Sequence, residues 1–385
     1  MSVRTRCVGA VAAVFLLLLS GCSGFFPPLS DSSGGGSDTT TGSFVYVANA
    51  ATSNIGAFAV GTSSAGAATL TAISGSPYGL TAQPTALAIT PGNSYLYVAE
   101  AGGIYGFSIN SSTGALTGLD GSSILAITTL GSVSLDVSPD GQWLFALSQD
   151  SATLNWYKIG SDGSLTLQDF VSYAGANGTQ AVAKMVKVAP SGNFVFIAMG
   201  TGGDADFAFT TSTGVMNKNE TSLATGSTTT GDNALAIDST SSYLYIARSG
   251  GTTGIAVYTI SSDGSLHSIS GSPFASGNGP AWVTFDTTGK YLYAANRADS
   301  TISGYSIGTG GVLTALAGSP FASGNAVNSL AADKSGSYML ASAGGGADDL
   351  TMYGFSSTSA GALSSVATAA TGTDPTQAVM VVATH

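Results

Sequence analysis

The sequence predicts a seven-bladed β-propeller of four-stranded antiparallel blades, closed into a ring by its own last strand. Three observations carry that expectation. A short aromatic and aliphatic phrase recurs seven times, as "FVYVAN" at 44, "YLYVAE" at 95, "WLFALS" at 143, "FVFIAM" at 194, "YLYIAR" at 243, "YLYAAN" at 291 and "YMLASA" at 338, at intervals of 47 to 51 residues. Each copy reads as a strand, and no stretch of the repeat sustains a helical period. The ends are complementary: the first copy lacks the small-residue strand that precedes the others, and "PTQAVMVVATH" (375–385) supplies it. A tail that completes the first blade leaves no open inner edge.

One unit shows the grammar. "PTALAIT" (84–90) is an inner strand, "PGNS" a turn, "YLYVAE" (95–100) a second strand, "GIYGFSI" (103–109) a third and "ALTGL" (115–119) a fourth. Other units place "SPDGQ", "APSGN" and "DTTGK" at the first turn, and "GSDGSL" and "SSDGSL" at the second. Gly and Asp belong there because such turns need positive φ or side-chain bonds to the backbone. Inner strands crowd the axis, and the aligned positions Ala86, Ser134, Ala234 and Ser329 are small. Met185, Trp282 and Gln377 are the exceptions, and Trp282 is expected to plug the channel mouth with an indole N–H in need of a partner.

The first residues read as an address. Arg4 and Arg6 precede an apolar run from Val8 to Leu19, too short to span as a stable helix. The ending Leu19-Ser20-Gly21-Cys22 resembles the bacterial lipobox, in which cleavage precedes the cysteine and its thiol is lipidated. Residues 1–21 are thus expected to be a signal peptide, Cys22 the lipidation site, and 22–43 a flexible Ser/Gly-rich tether to a propeller over 44–385. Cys7 leaves with the signal, so the body has no disulfide. The expected location is the bacterial cell envelope, held by lipid alone.

Composition narrows the partners. Only 8% of residues are charged, and loss of the two positive charges Arg4 and Arg6 takes the net charge from −11 to −13. So few cations cannot make many phosphate contacts, which excludes nucleic acid. The expected partner is a small anionic molecule, or an envelope partner, over the central channel. No cofactor and no metal is expected: the carboxylates in "GGDAD" (202–206) and "GGGADD" (344–349) have no recognised calcium spacing and read as solvated loops.

Propellers usually hold ligands over the channel, on the face carrying the loop between strands two and three. The residues ending strand two are Asn49, Glu100, Ser148, Met199, Arg248, Asn296 and Ala343. Those opening each inner strand are Pro84, Ser132, Ala183, Asp232, Pro280, Val327 and Pro375. Beyond the signal only two arginines occur, Arg248 and Arg297, both at this rim on adjacent blades. They suit a carboxylate or phosphate, unless Arg248 pairs with Asp232 and Arg297 with Asp299. Glu100, one of two glutamates, holds the equivalent rim position. Candidate catalytic residues are therefore Glu100, Arg248 and Arg297, with Asn49, Trp282 and Asn296 as ligand-binding residues. Lys187 and Asp136 read as an ion pair lining the channel. His267 and His385 are placed away from the channel mouth, which leaves no imidazole base there.

The words "P-x-x-L-x-I-x-P-x-G-x-Y-L-Y-V-A-N" and "S-x-D-G-S-L" resemble those of the lactonase-type seven-bladed propellers, the YVTN-repeat or 6-phosphogluconolactonase-like family. The resemblance covers residues 44 to 385 and specifies fold better than function. It implies hydrolysis or formation of sugar-acid or muconate lactones by arginine, glutamate and histidine over the channel. Arg248, Arg297 and Glu100 could stand for the arginines and the glutamate; no histidine matches. The repeated "GSPFASG" at 271 and 318, with "GSPYG" at 75, is similar to the exported, envelope-associated branch of that family. Two functions follow: a tethered binding module, which the residue inventory favours, and a lactone hydrolase in which Glu100 activates water.

Overall fold

Residues 39–371 and 378–385 are described by a computed structural model, apart from 123, 128–130, 218–220, 225–228, 252 and 347. The expected signal peptide, Cys22, most of the tether, Pro375 and Gln377 lie outside them. Among the described residues no helix is long and apolar enough to cross a membrane.

The recurring phrase is the second strand of each blade. In Tyr95–Glu100, Leu96, Tyr97, Val98 and Ala99 are all fully buried. A strand covered on both faces by neighbouring blades reads as a continuous apolar run, whereas a half-solvated strand alternates. Blade 2 is Pro84–Ile89, Tyr95–Glu100, Gly103–Ile109 and Leu116–Gly118, hydrogen-bonded in that order. Blades 3 to 7 repeat the order from Ser132, Met185, Thr230, Pro280 and Asn325. Four blades add a short fifth strand on strand three, among them Tyr78–Gly79 and Phe321–Ala322. These two lie in the "GSPYG" and "GSPFASG" words, whose serines act as bolts. The hydroxyl oxygens of Ser76, Ser272 and Ser319 accept the N–H groups of Ala57, Val257 and Gly304 at 2.8, 2.8 and 2.9 Å.

The tail closes the ring. Ala378–Ala383 pairs antiparallel with Thr39–Asn49 and becomes the inner strand of blade 1. Its register differs from the sequence alignment by three residues. Ala378, rather than Pro375, stands opposite Asn49, and Met380, rather than Gln377, stands opposite Ala48, where the other blades carry Ala86, Ser134, Met185, Ala234, Trp282 and Ser329. The reason is burial. This register puts β-branched Val381 where the other blades bury Leu87 or Leu235, a place the aligned register would give to Ala378. Ser329 fixes it further, its Oγ accepting the Val381 N–H at 2.7 Å.

Adjacent blades are latched by a device that explains the phrase's first and third letters. The glycine of the second turn sits against the aromatic that opens strand two of the preceding blade: Gly114 on Phe44, Gly163 on Tyr95, Gly214 on Trp143, Gly264 on Phe194, Gly311 on Tyr243 and Gly361 on Tyr291. The third letter then donates a hydrogen bond to that glycine's carbonyl, from Tyr46 to Gly114 (2.7 Å), Tyr97 to Gly163 (2.9 Å) and Tyr293 to Gly361 (2.6 Å). Phe145 lacks the hydroxyl, and Trp156 on strand three supplies an N–H to Gly214 instead (2.9 Å). Tyr245 holds the same position but buries its hydroxyl without a partner among the described residues. The pair makes an internal control. Tyr97→Phe should cost about 1 kcal/mol in urea denaturation, while Tyr245→Phe should be neutral or stabilising, because only the first gives up a bond.

Candidate functional site

Of the rim residues selected by sequence, most are drawn inside the blades. The ladder between strands two and three still runs at Asn49 (opposite Asn54), Glu100 (Gly103), Arg248 (Gly254) and Asn296 (Thr301). All four side chains are buried, and they act as clamps. Asn49 donates to the Thr371 carbonyl at 2.9 Å, tying blade 1 to the connection from blade 7. Asn296 donates to Ser303 Oγ at 2.9 Å. Glu100 Oε2 accepts from Thr81 Oγ1 and the Ala82 N–H, both at 2.8 Å. Three of the four carboxylates of the glycine-rich words are structural rather than solvated, for Asp349 accepts from both the N–H and the hydroxyl of Thr371 and Asp204 and Asp206 are buried, while Asp348 is exposed as expected.

Arg248 is paired with Asp232, Nε to Oδ1 at 2.6 Å and a terminal nitrogen to Oδ2 at 2.8 Å, with Tyr258 Oη at 3.3 Å. Burial opposes its charge, but the Asp232 carboxylate overrides that and raises the guanidinium pKa. Asp204 completes this cluster. Its position, opposite Ala198 on strand two, is held in the other six blades by Ile55, Ile104, Leu154, Ile255, Ile302 and Leu350. All seven side chains are 0% exposed, and among the described residues no donor reaches either Asp204 oxygen, whose carboxyl lies within hydrogen-bonding reach of the Asp232 carboxylate. Burial first, and then the Asp232 carboxylate, push the Asp204 pKa well above its ordinary value, so it is held protonated.

Arg297 fares differently. It follows the last paired residue of its strand, is exposed, and has no ion-pair partner among the described residues. Asp299 instead accepts from the backbone and side chain of Asn278 at 2.6 and 3.0 Å. Arg297 lines a cavity of about 440 Å³ at the front mouth of the channel, together with Lys184, Asn233, Ser249, Asn328 and Trp282. Neither Glu100 nor Arg248 lines it. Five of the lining residues, Thr85, Val133, Asn233, Ala281 and Asn328, occupy one repeated place. Each is the extra residue of a β-bulge between the partners of the last two residues of the recurring phrase. A bulge turns a side chain out of the ladder, and here it turns a ring of side chains into the mouth. Lys184 holds that place in blade 4. No local mark in the sequence distinguishes this place; only comparing register across blades exposes it.

Asn233 is oriented by donating to the Pro280 carbonyl at 2.9 Å and to Ser249 Oγ at 2.8 Å. Trp282 lies deeper than the mouth. With Ser134, Met185 and Met380 it lines both this cavity and a second one at the other end, so it forms a waist. Among the described residues the front mouth therefore offers two cations, amides and an indole, and no carboxylate, imidazole or thiol. It can hold an anion or polarise a carbonyl, but none of those groups is present to take a proton. Lys187 and Asp136 pair at 3.0 Å beyond the waist, as expected. His385, expected away from the front mouth, lines the opposite one.

A closed ring of seven four-stranded blades is the architecture of the lactonase-type propellers. A family profile described as "Lactonase, 7-bladed beta-propeller" matches residues 66–380, and the chain belongs to that family. Among solved structures it is similar to a candidate 6-phosphogluconolactonase of Bacteroides fragilis (16% identity, 91% of this chain and 99% of that one, TM-score 0.70). It is also similar to the periplasmic gluconolactonase PpgL of Pseudomonas aeruginosa (15%, 87% and 98%, 0.66). A third, similarly assigned protein of Bacteroides uniformis has 15% identity over 88% and 98%, with TM-score 0.66. At these identities the likeness is one of fold. No curated protein matches the chain.

Proposed function

We propose that the chain is a binding propeller whose front mouth takes a small polyhydroxylated carboxylate of the sugar-acid class. The observation that supports this is the pairing of Lys184 and Arg297 on one cavity whose lining holds no carboxylate, in a chain of net charge −11. The amides of Asn233 and Asn328 suit hydroxyl groups, and the Trp282 indole suits the apolar face of a sugar acid. The second reading, hydrolysis of a sugar-acid lactone, is favoured by family membership. It would rest on Lys184 and Arg297 polarising the lactone carbonyl, since Glu100 is sequestered. We also propose that residues 1–22 export the protein and anchor it through a lipid on Cys22, supported by the basic start, the apolar run and Leu19-Ser20-Gly21-Cys22. Cys22→Ala should then release the protein from the membrane fraction and abolish palmitate labelling.

The test is calorimetric titration of D-gluconate into the full-length protein, alongside acid release from glucono-1,5-lactone corrected for its spontaneous rate. Gluconate should bind, and Arg297→Ala and Lys184→Ala should each weaken it by about tenfold or more, the loss of a charge-assisted hydrogen bond. Lactone hydrolysis above the spontaneous rate, lost in Arg297→Ala, would replace binding by catalysis at the same mouth. Neither binding nor hydrolysis in folded protein would overturn both.

A further inference from the structure

Past the waist the channel widens into a cavity of about 550 Å³ that opens at the opposite mouth. Its floor is the waist itself, Met185, Trp282 and Met380. The next inward ring is small at Ala88, Ala236 and Ala331, and charged only at Asp136 and Lys187. Each side-chain carboxylate of the lining is already engaged. Asp286 accepts the Tyr291 N–H at 2.9 Å, and Asp333 the Tyr338 N–H at 2.7 Å and the Ser43 hydroxyl at 3.1 Å. Asp136 accepts Lys187 through Oδ1 and the Val188 N–H through Oδ2 at 2.8 Å. These acids are also withdrawn: the Asp136 side chain is 16% exposed, against 42% for Lys187.

Donors remain unspent. The Lys187 ammonium has three N–H groups and one partner in Asp136. Lys334 is exposed at the rim and forms no ion pair among the described residues. Trp143 and Trp156 donate their indole N–H groups to the carbonyls of Thr211 and Gly214, at 2.7 and 2.9 Å. Trp282 alone of the three has no acceptor among the described residues. His385 stands at the edge, where burial and Lys187 hold its imidazole below its ordinary pKa against the pull of Asp136 and the Ile89 carbonyl. A floor of two thioethers and an indole favours an aromatic ring, unspent donors favour an acceptor group, and the volume lies in the range of small-ligand sites.

We propose that this opposite mouth is a second ligand site, which takes an aromatic monocarboxylate with its ring on Met185, Met380 and Trp282 and its carboxylate on Lys187. The site does not depend on the front mouth, and the test separates them. In calorimetric titration with 2-naphthoate, the full-length protein should bind one equivalent with a dissociation constant below about 1 mM. Lys187→Gln, which keeps a donor for Asp136 but removes the charge, should weaken binding by about tenfold or more. Ala236→Phe, which fills the cavity without touching a charge, should abolish it. Arg297→Ala should retain it within about twofold, whatever the fate of gluconate binding. The proposal is overturned by absence of binding, by binding that survives both Lys187→Gln and Ala236→Phe, or by preference for 2-naphthylmethylammonium over 2-naphthoate.

Discussion

Asp204→Ile should make the protein more stable, by about 1–3 kcal/mol even where the carboxyl is neutral in both states, the cost of burying a polar group among apolar neighbours, and by more at neutral pH. The substitution restores the aliphatic residue that six blades bury at this place and leaves the Arg248–Asp232 pair intact. The gain should depend on pH with a definite sign. The folded-state pKa of Asp204 is raised, so the folded protein keeps a proton that the unfolded chain releases above pH 3.8. Wild-type stability must therefore fall as pH rises from that value toward the folded pKa, at about 1.36 kcal/mol per pH unit from this group. Below pH 3.8 both states are protonated and this penalty vanishes. Urea denaturation across pH 4 to 8 should show the advantage of Asp204→Ile widening with pH, and Asp204→Asn should lose the same slope. An advantage that is flat across that range would mean Asp204 is ionised in the fold.

Gly214→Ala should destabilise by about 3 kcal/mol, combining about 1–2 for the left-handed backbone with about 1–3 for overpacking. Its φ is +70°, and an added Cβ would lie 2.2 Å from the Trp143 ring. That ring cannot retreat easily, because Trp143 Nε1 donates to the Thr211 carbonyl and the ring packs edge-on against Phe209. Gly66 is the control. It holds the same turn in blade 1 with φ +80° but meets nothing within 4 Å, so Gly66→Ala should cost only the backbone share. Equal losses at the two sites in thermal or urea unfolding would remove the latch from the account of blade cohesion.

The fold was legible because it is written seven times: a strand that is apolar at every position, a turn that must hold glycine, and an interval that fits four strands. The tail's role was legible too, but its register was not. Pro375 invites alignment with Pro84, and only the demand for a branched residue in the layer between blades selects Val381 over Ala378. The site was legible in part. Arg297 and Trp282 reach the channel because one lies just past its ladder and the other points inward. Glu100, Arg248, Asn49 and Asn296 do not, because pairing continues through them and turns them between the blades. Asn233 and Asn328 were missed for the converse reason: a bulge changes which way a residue points, and it is a property of two strands rather than of one; Lys184 stands just ahead of its inner strand, at a place only the other blades mark.

The seam between the last blade and the first has a consequence for how the chain acquires this shape. The Phe44 N–H is bonded to Thr384 Oγ1, a partner 340 positions away, and the aromatic–glycine latch found at the six other junctions is missing where Gly66 stands open. A contact so distant can form only after nearly the whole chain is available, and contacts of this kind slow folding. Until then Val45, Val47, Leu340 and Met352, which end up in one apolar cluster with Val381, face solvent beside an unpaired strand edge. The vulnerable species is thus a nascent one, six blades stacked and the ring still ajar, and its lifetime is set by how soon eight terminal residues arrive and dock.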